Sequence, residues 1–317
     1  MEALVAVTYR CNAKCHMCNI WQNPSNEQDE ISLTEIGKLP SGLKFANITG
    51  GEPFLRDDIE GIVRIIRSKA RRVVISTNGY LTDRILDVVK KNLDIGVRIS
   101  LEGLPKANDD LRGIKDGFDH GLRTLLKLYD LGIKDIGFGI TVSDKNAADL
   151  MELYSLANAM GVQFATAAVH NTYYFHKFDN QITQPDMIAG EFKKLIDSQL
   201  KSRTPKNWFR AYLNHGLVNY ICGKPRLLPC GAAHDVFFVD PFGEVRPCNA
   251  MEVSMGNLKD SSFDQIWNGQ KAEEIRKMVT NCDKNCWMVG TVSPAMKRNL
   301  IKPGIWVMKN KLGLGSK

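Results

Sequence analysis

No run in this 317-residue sequence approaches the roughly 18 apolar residues that a membrane-spanning helix requires. The opening Met1-Glu2-Ala3-Leu4-Val5-Ala6-Val7 lacks the basic start and apolar core of a secretory signal, so a cytoplasmic protein is expected. Internal repeats and long low-complexity segments are also missing, so neither a repeat array nor a long linker is expected. Acidic residues are absent after Asp283, where Lys297, Arg298, Lys302, Lys309, Lys311 and Lys317 occur. Ile301, Ile305, Trp306, Met308 and Leu312 lie between them. Such a tail suits either contact with an anionic membrane surface or packing back on the domain with the lysines pointing outward. The remaining charge, net +7 overall, is spread along the chain and describes a solvated basic surface, so no nucleic-acid partner is expected.

What is present is enough apolar material, 44% of residues, for a sizeable core, in a chain longer than the usual single domain. Short β-branched runs read as strands at Leu4–Thr8, Phe45–Thr49, Val73–Ser76, Gly96–Leu101, Ile136–Val142 and Gln163–Val169. Between them, helical spacing appears at Ile59–Ala70, Thr82–Lys91, Phe118–Leu131 and Ala147–Met160; in the third, Phe118, Leu122, Leu125, Leu126 and Tyr129 share a face. Regular alternation implies a parallel sheet with right-handed crossovers. The expected fold is therefore α/β, an open partial (β/α)6 barrel with chemistry at the C-terminal strand ends, followed by a small α+β extension. Helices are expected near Pro185–Lys201 and Pro205–Tyr220. The divisions expected are a barrel with its following helices over 1–220, a cysteine-bearing unit over 221–290 and a basic tail over 291–317.

Eight cysteines in a cytosolic chain are more naturally metal ligands than disulfides. Cys11, Cys15 and Cys18 form C-x3-C-x2-C directly after the first strand. Three thiolates on one loop can hold three irons of a [4Fe–4S] cluster and leave the fourth open to another ligand. A zinc site with His16 as fourth ligand is the alternative. Thr49-Gly50-Gly51-Glu52-Pro53 follows at the end of the second strand, where paired glycines allow close backbone approach and Glu52 can accept from an amino group.

These motifs, in this order, resemble the radical S-adenosylmethionine (SAM) superfamily with its GGEP motif, a likeness covering roughly residues 4–170. The resemblance implies that a reduced cluster chelates SAM and donates one electron to its sulfonium, giving a 5′-deoxyadenosyl radical and methionine, with the protein orienting the cofactor and excluding water. It implies an external one-electron reductant of the flavodoxin or ferredoxin type. Gly50, Gly51, Glu52 and Pro53, then Thr77 and Asn78 after the third strand, and Ser100 after the fourth, match the family's cofactor-contacting strand ends; the latter turns also read as ordinary Ser/Asn/Gly turns. Leu111-Arg112-Gly113 resembles a segment whose arginine pairs with the cofactor carboxylate.

A second group begins at Cys230, with Gly243 and Cys248 in C-x12-G-x4-C spacing around a hairpin turning at Asp240-Pro241-Phe242-Gly243, followed by Cys282 and Cys286. Four thiolates can close a cubane; a zinc site with four cysteine ligands has the same ligand count. The pattern resembles the shortened "twitch" form of the SPASM extension, which implies one auxiliary [4Fe–4S] cluster. Cys222 is left over; it is either a buried thiol or, as in superfamily epimerases that it resembles, a hydrogen-atom donor. For substrate contacts, His170, Asn171, Tyr173 and Tyr174 follow the sixth strand at the expected barrel mouth, with Glu102 and Lys224 as further candidates. The start of the chain at the barrel favours a small polar, sugar- or aminocyclitol-like substrate undergoing dehydrogenation or epimerisation. The alternative is a peptide that is cross-linked or epimerised. A non-catalytic metal-binding protein has no need of an open iron.

Overall fold

A computed structural model describes residues 1–314, so Lys317 of the basic tail lies outside the described residues. Six parallel strands, β1 (Glu2–Ala6), β2 (Phe45–Thr49), β3 (Val73–Thr77), β4 (Gly96–Ser100), β5 (Ile136–Val142) and β6 (Gln163–Ala168), follow one another in spatial order. Helices Ile59–Lys69, Thr82–Lys90, Gly117–Asp130 and Leu150–Ala159 fall between them as the periodicity predicts. Three further strands, β7 (Val236–Val239), β8 (Glu244–Arg246) and β9 (Gly256–Asn257), continue the same sheet beyond β1, giving the order β6-β5-β4-β3-β2-β1-β7-β8-β9. The sheet does not close, and the expected partial barrel is present. The cysteine-bearing hairpin is the barrel's own next strands, because β7 pairs in parallel with Glu2–Val5 of β1.

That pairing shifts β1 two residues earlier than the sequence indicates. The Glu2 amide donates to the Asp235 carbonyl (2.7 Å), and beyond Ala6 the contact with β2 continues through the Val7 amide and Thr49 carbonyl (2.9 Å) into the first cysteine loop. A helix the sequence reading lacks, Pro105–Arg112, opens with proline at its first turn and ends in the left-handed Gly113. Its mostly polar residues hide the usual apolar stripe. The face of Gly117–Asp130 is also rotated from expectation: Phe118, Gly121, Thr124, Leu125 and Leu128 are buried, whereas Leu126 and Tyr129 are exposed. A Cβ at Gly121 would lie 2.9 Å from Leu101 and 3.2 Å from Ile99, so the missing side chain is what lets this helix lie down on β4.

Helices Pro185–Lys201 and Pro205–Ile221 pack together after β6, and the tail forms two more, Val289–Arg298 and Ile301–Lys311. Trp287, next to Cys286, is driven into the second of the first pair: its indole N–H donates to the Leu213 carbonyl (2.7 Å), and its ring lies over Gly216. A Cβ on Gly216 would meet that ring at 2.0 Å. Gly216→Ala should gain up to about 1 kcal/mol of helix propensity yet lose about 1–3 kcal/mol to overpacking, so the clash wins. Gly190→Ala, in a helix with open space around the new Cβ, should raise the melting temperature instead. Thermal denaturation of both variants checks the opposite signs.

Candidate functional site

The loop after β1 is bonded to its surroundings on several sides. At its base, buried Glu30 accepts from Thr8, from the Ser25 hydroxyl (2.6 Å) and from Arg10 (3.1 Å), while the Arg56 guanidinium donates to the Val7 carbonyl (2.9 Å) and pairs with Glu30 (3.5 Å). On one side the Gly51 and Glu52 amides donate to the Thr8 and Arg10 carbonyls (2.7 and 2.8 Å). On the other, the Lys14 and His16 amides donate to the Arg112 and Leu111 carbonyls (2.9 and 2.8 Å). A third strap comes from the segment after β6, where the Asn19 amide donates to the Phe175 carbonyl (2.8 Å) and the Asn180 amide nitrogen to that of Met17 (3.1 Å). The glycine pair is thus used for approach to the cysteine loop itself: a Cβ on Gly51 would sit 2.2 Å from the Arg10 carbonyl and 3.0 Å from Cys11.

Cys11, Cys15 and Cys18 are half-buried on this loop and within electrostatic reach of one another. Burial pushes the Cys11 and Cys18 thiols up to about 12 and raises Cys15 as well, so loading a metal cluster must release their protons. Arg112 is the buried cation facing them. Burial works against its charge, but Cys15, Glu102, Cys11 and Glu52 hold it firmly protonated. Its Nη1 donates to Glu102 (3.1 Å), and its buried Nε has no partner among the described residues. An unused guanidinium donor beside three thiols fits a carboxylate ligand bound at the cluster. Three thiols on one loop suit three irons of a cluster whose fourth iron is open to that ligand.

Glu52 is completely buried at the end of β2, and its carboxylate accepts from the Asn78 amide (2.8 Å), the Thr77 hydroxyl (2.8 Å) and the Phe54 amide (3.2 Å). Burial still raises its pKa above the usual carboxylate range. Pro53 starts the short turn behind it. Asn78 reaches the cysteine loop by donating to Asn12 (2.7 Å). Ser100 is half-buried at the end of β4, without a side-chain hydrogen bond among the described residues. Glu102, a sequence candidate for substrate contact, accepts from Arg112 (3.1 Å) with one oxygen and from the Thr141 amide (2.6 Å) with the other, so it also orients Arg112. Asn12, Glu30 and Arg56 were invisible to sequence reasoning, because nothing in a lone polar residue announces which loop it pins.

The second thiol group surrounds a cavity of about 800 Å³ lined by Cys230, Cys282, Cys286, Arg226, His234, Lys284 and Arg298. Cys248 is buried nearby, pushed up to about 11 by burial and by the Cys286 and Cys230 thiols. The hairpin turn forms as read: buried Asp240 accepts from the Phe242 and Glu244 amides (3.0 Å each) and pairs with Arg246 (3.1 Å). Four thiols on three chain segments fit a closed cluster.

Between the two groups runs the segment after β6. Tyr174 donates its hydroxyl to the Gly50 carbonyl (2.6 Å), and its amide donates to Asn249, the residue after Cys248 (3.1 Å). Tyr173 lies under the Arg246 guanidinium at 4.7 Å. Asn171 is exposed and bonds only within its loop, to Asn180. Lys224 is exposed, and Cys222 caps the helix Pro205–Ile221; neither lines the second thiol cavity nor the smaller cavity beside His170. That cavity, about 140 Å³, is bounded by Leu4, Ala168, His170, Phe175, Tyr220, Cys248 and Trp287, among others. His170 Nδ1 lies 2.8 Å from the Ala168 carbonyl and so carries the proton, leaving buried Nε2 as an unpartnered acceptor. Burial lowers its pKa and keeps the ring neutral.

Comparison with known proteins agrees with both halves of this geometry. The family model described as "Radical SAM superfamily" matches residues 5–157, and that described as "Iron-sulfur cluster-binding domain" (SPASM) matches 230–287. The pre-heme d1 synthase of Dinoroseobacter shibae is 31% identical over 300 residues, covering 83% of this chain and 72% of that protein. The antilisterial bacteriocin subtilosin biosynthesis protein AlbA of Bacillus subtilis is 26% identical over 293 residues, covering 87% of this chain and 61% of AlbA. An Fe-coproporphyrin III synthase of Methanosarcina barkeri is 37% identical over 158 residues, covering 47% of this chain and 39% of the synthase. This chain therefore spans less than two thirds of the length of those last two relatives. Among solved structures, native anSMEcpe with bound AdoMet and the Cp18Cys peptide shares the fold, with a TM-score of 0.69 at 15% identity over 99% of this chain and 98% of the other. The chain belongs to the radical SAM superfamily, as an enzyme of partial-barrel fold that uses SAM, a [4Fe–4S] cluster and a SPASM-type auxiliary iron–sulfur centre.

Proposed function

We propose that this enzyme modifies a peptide, acting on an apolar side chain held in the cavity beside His170. The observation that carries the reading is the cavity's size and wall. About 140 Å³ is the scale of a single amino-acid side chain, and most of its lining is aliphatic or aromatic. A sugar or aminocyclitol there would leave hydroxyls without partners, which costs roughly 1–3 kcal/mol each. This weighs against the small polar substrate expected from sequence and favours the peptide alternative. The similarity to AlbA, a bacteriocin biosynthesis protein, over 87% of this chain supports it.

In this reading Cys11, Cys15 and Cys18 hold the SAM-binding cluster, and Cys230, Cys248, Cys282 and Cys286 hold the auxiliary one. When bound, the first cluster and SAM supply one-electron chemistry that generates a hydrogen-abstracting radical, with an external reductant providing the electron. Arg112 offers its free Nε to the cofactor carboxylate, held in place by Glu102, and Glu52 accepts from the amino group. Tyr174 keeps the Gly50 carbonyl in place, and the packed segment around Phe175 keeps water out.

Reconstituted without oxygen, the wild type should bind about eight irons from two four-iron clusters. With Cys11, Cys15 and Cys18 changed to alanine, about four should remain and SAM cleavage should cease. Survival of cleavage would remove the assignment of that loop. The substrate reading is tested by incubating the loaded enzyme, reductant and SAM with peptides encoded by neighbouring genes, and separately with an iron porphyrin and an aminocyclitol. A peptide should stimulate 5′-deoxyadenosine release and either lose two hydrogens or take up solvent deuterium. Stimulation by the porphyrin or the aminocyclitol alone would overturn it.

A further inference from the structure

The last helix, Ile301–Lys311, lies on the outside of the molecule against Pro205–Ile221. Its inner side is fixed by buried Pro303 and by Trp306, which stacks on His215 at 4.6 Å and meets Tyr212 edge-on at 5.5 Å between ring centres. The opposite side is aliphatic. Ile301, Ile305, Met308 and Leu312 recur at steps of four, three and four residues and are exposed by 79, 46, 60 and 68%. Leu300 and Leu314, also exposed, extend the row at either end.

The lysines do not shield this row. Lys302 turns back to donate to the Leu227 carbonyl (2.7 Å), and Lys311 donates to Leu200 (2.8 Å) with its ammonium 4.1 Å from the centre of the Trp208 ring. Of the two arrangements open to such a tail, lysines outward over packed apolar residues or an apolar face left open, the structure has the second, with only Trp306 and Pro303 packed back. Leu300, Ile301 and Ile305 of the row also border a shallow open concavity with Trp306. Around the row stand the Lys302, Lys309 and Lys311 ammonium groups, whereas Lys297 and Arg298 just before the helix are paired with Glu2 (2.8 Å) and Asp235. Two copies of this face would oppose like charges, which disfavours self-association. An exposed aliphatic helix face flanked by cations matches a surface that is apolar a few ångströms down and anionic at its rim.

We propose that Ile301–Lys311 seats the enzyme on an anionic lipid surface, with the aliphatic row at the acyl boundary and the cations, Lys309 foremost, at the headgroup phosphates. Independently of which substrate is modified, this places the reaction at a membrane face. The test is flotation of the full-length, cluster-loaded protein with vesicles of phosphatidylcholine alone or mixed with phosphatidylglycerol. The wild type should float with the mixed vesicles only, and less as salt rises. Ile301→Ser with Met308→Ser should abolish flotation while iron content and helicity stay unchanged. Lys309→Glu, which leaves the packed side untouched, should weaken binding at least about fivefold. Equal behaviour with both vesicle types, or flotation of the double variant like the wild type, would overturn the proposal. So would a soluble oligomer that the double variant dissolves without any lipid binding, since the face would then be a protein contact.

Discussion

The structure depends first on how the loop carrying Cys11, Cys15 and Cys18 is clamped. It has no regular secondary structure, yet its backbone is bonded on three sides, to Gly51 and Glu52, to Leu111 and Arg112, and to Phe175 and Asn180. Each clamp also brings a chemical group. The β2 end brings Glu52, the end of Pro105–Arg112 brings the Arg112 guanidinium, and the segment after β6 brings Tyr174. These clamps place thiols, carboxylate and cation with respect to one another, as a site that holds metal and cofactor requires.

The same segment after β6 ties the two thiol groups into one body. Tyr174 bonds Gly50 with its hydroxyl and Asn249 with its amide, so the neighbour of Cys248 and the glycine motif share one residue. The nine-stranded sheet does so a second time, because β1 leads into the first cysteine loop and also pairs with β7 of the hairpin. Shifts in one group are therefore expected to be felt by the other, through packed backbone and not through a flexible linker. The His170 cavity lies in this shared zone, with Cys248 on its wall.

Much of this was legible in the sequence, where the signal was periodic or carried by a motif. The six barrel strands and four of their helices follow from alternation of apolar runs, and both cysteine groups from spacing next to strands or turns. The helix Pro105–Arg112 was missed because its residues are largely polar, although it presents Arg112. The face of Gly117–Asp130 was misread because periodicity counts large apolar residues, whereas the helix docks through Gly121, a residue with no side chain to count. Sequence gives chemistry but not partners, so it did not reveal that Glu102 accepts from Arg112 and from the Thr141 amide. The open face of Ile301–Lys311 depends on which way lysines turn, which only packing against Trp208 and the Leu227 carbonyl decides.

The central claim is that one cluster has an iron open to SAM beside Arg112, while the other is closed by four thiolates. It is tested most directly by electron paramagnetic resonance of the reduced, two-cluster protein titrated with SAM. The account predicts two cluster signals, of which one changes shape on adding SAM and is missing from the protein with Cys11, Cys15 and Cys18 replaced, while the other is unaffected. Two signals that both ignore SAM, or a SAM-responsive signal that survives loss of those three cysteines, would contradict it.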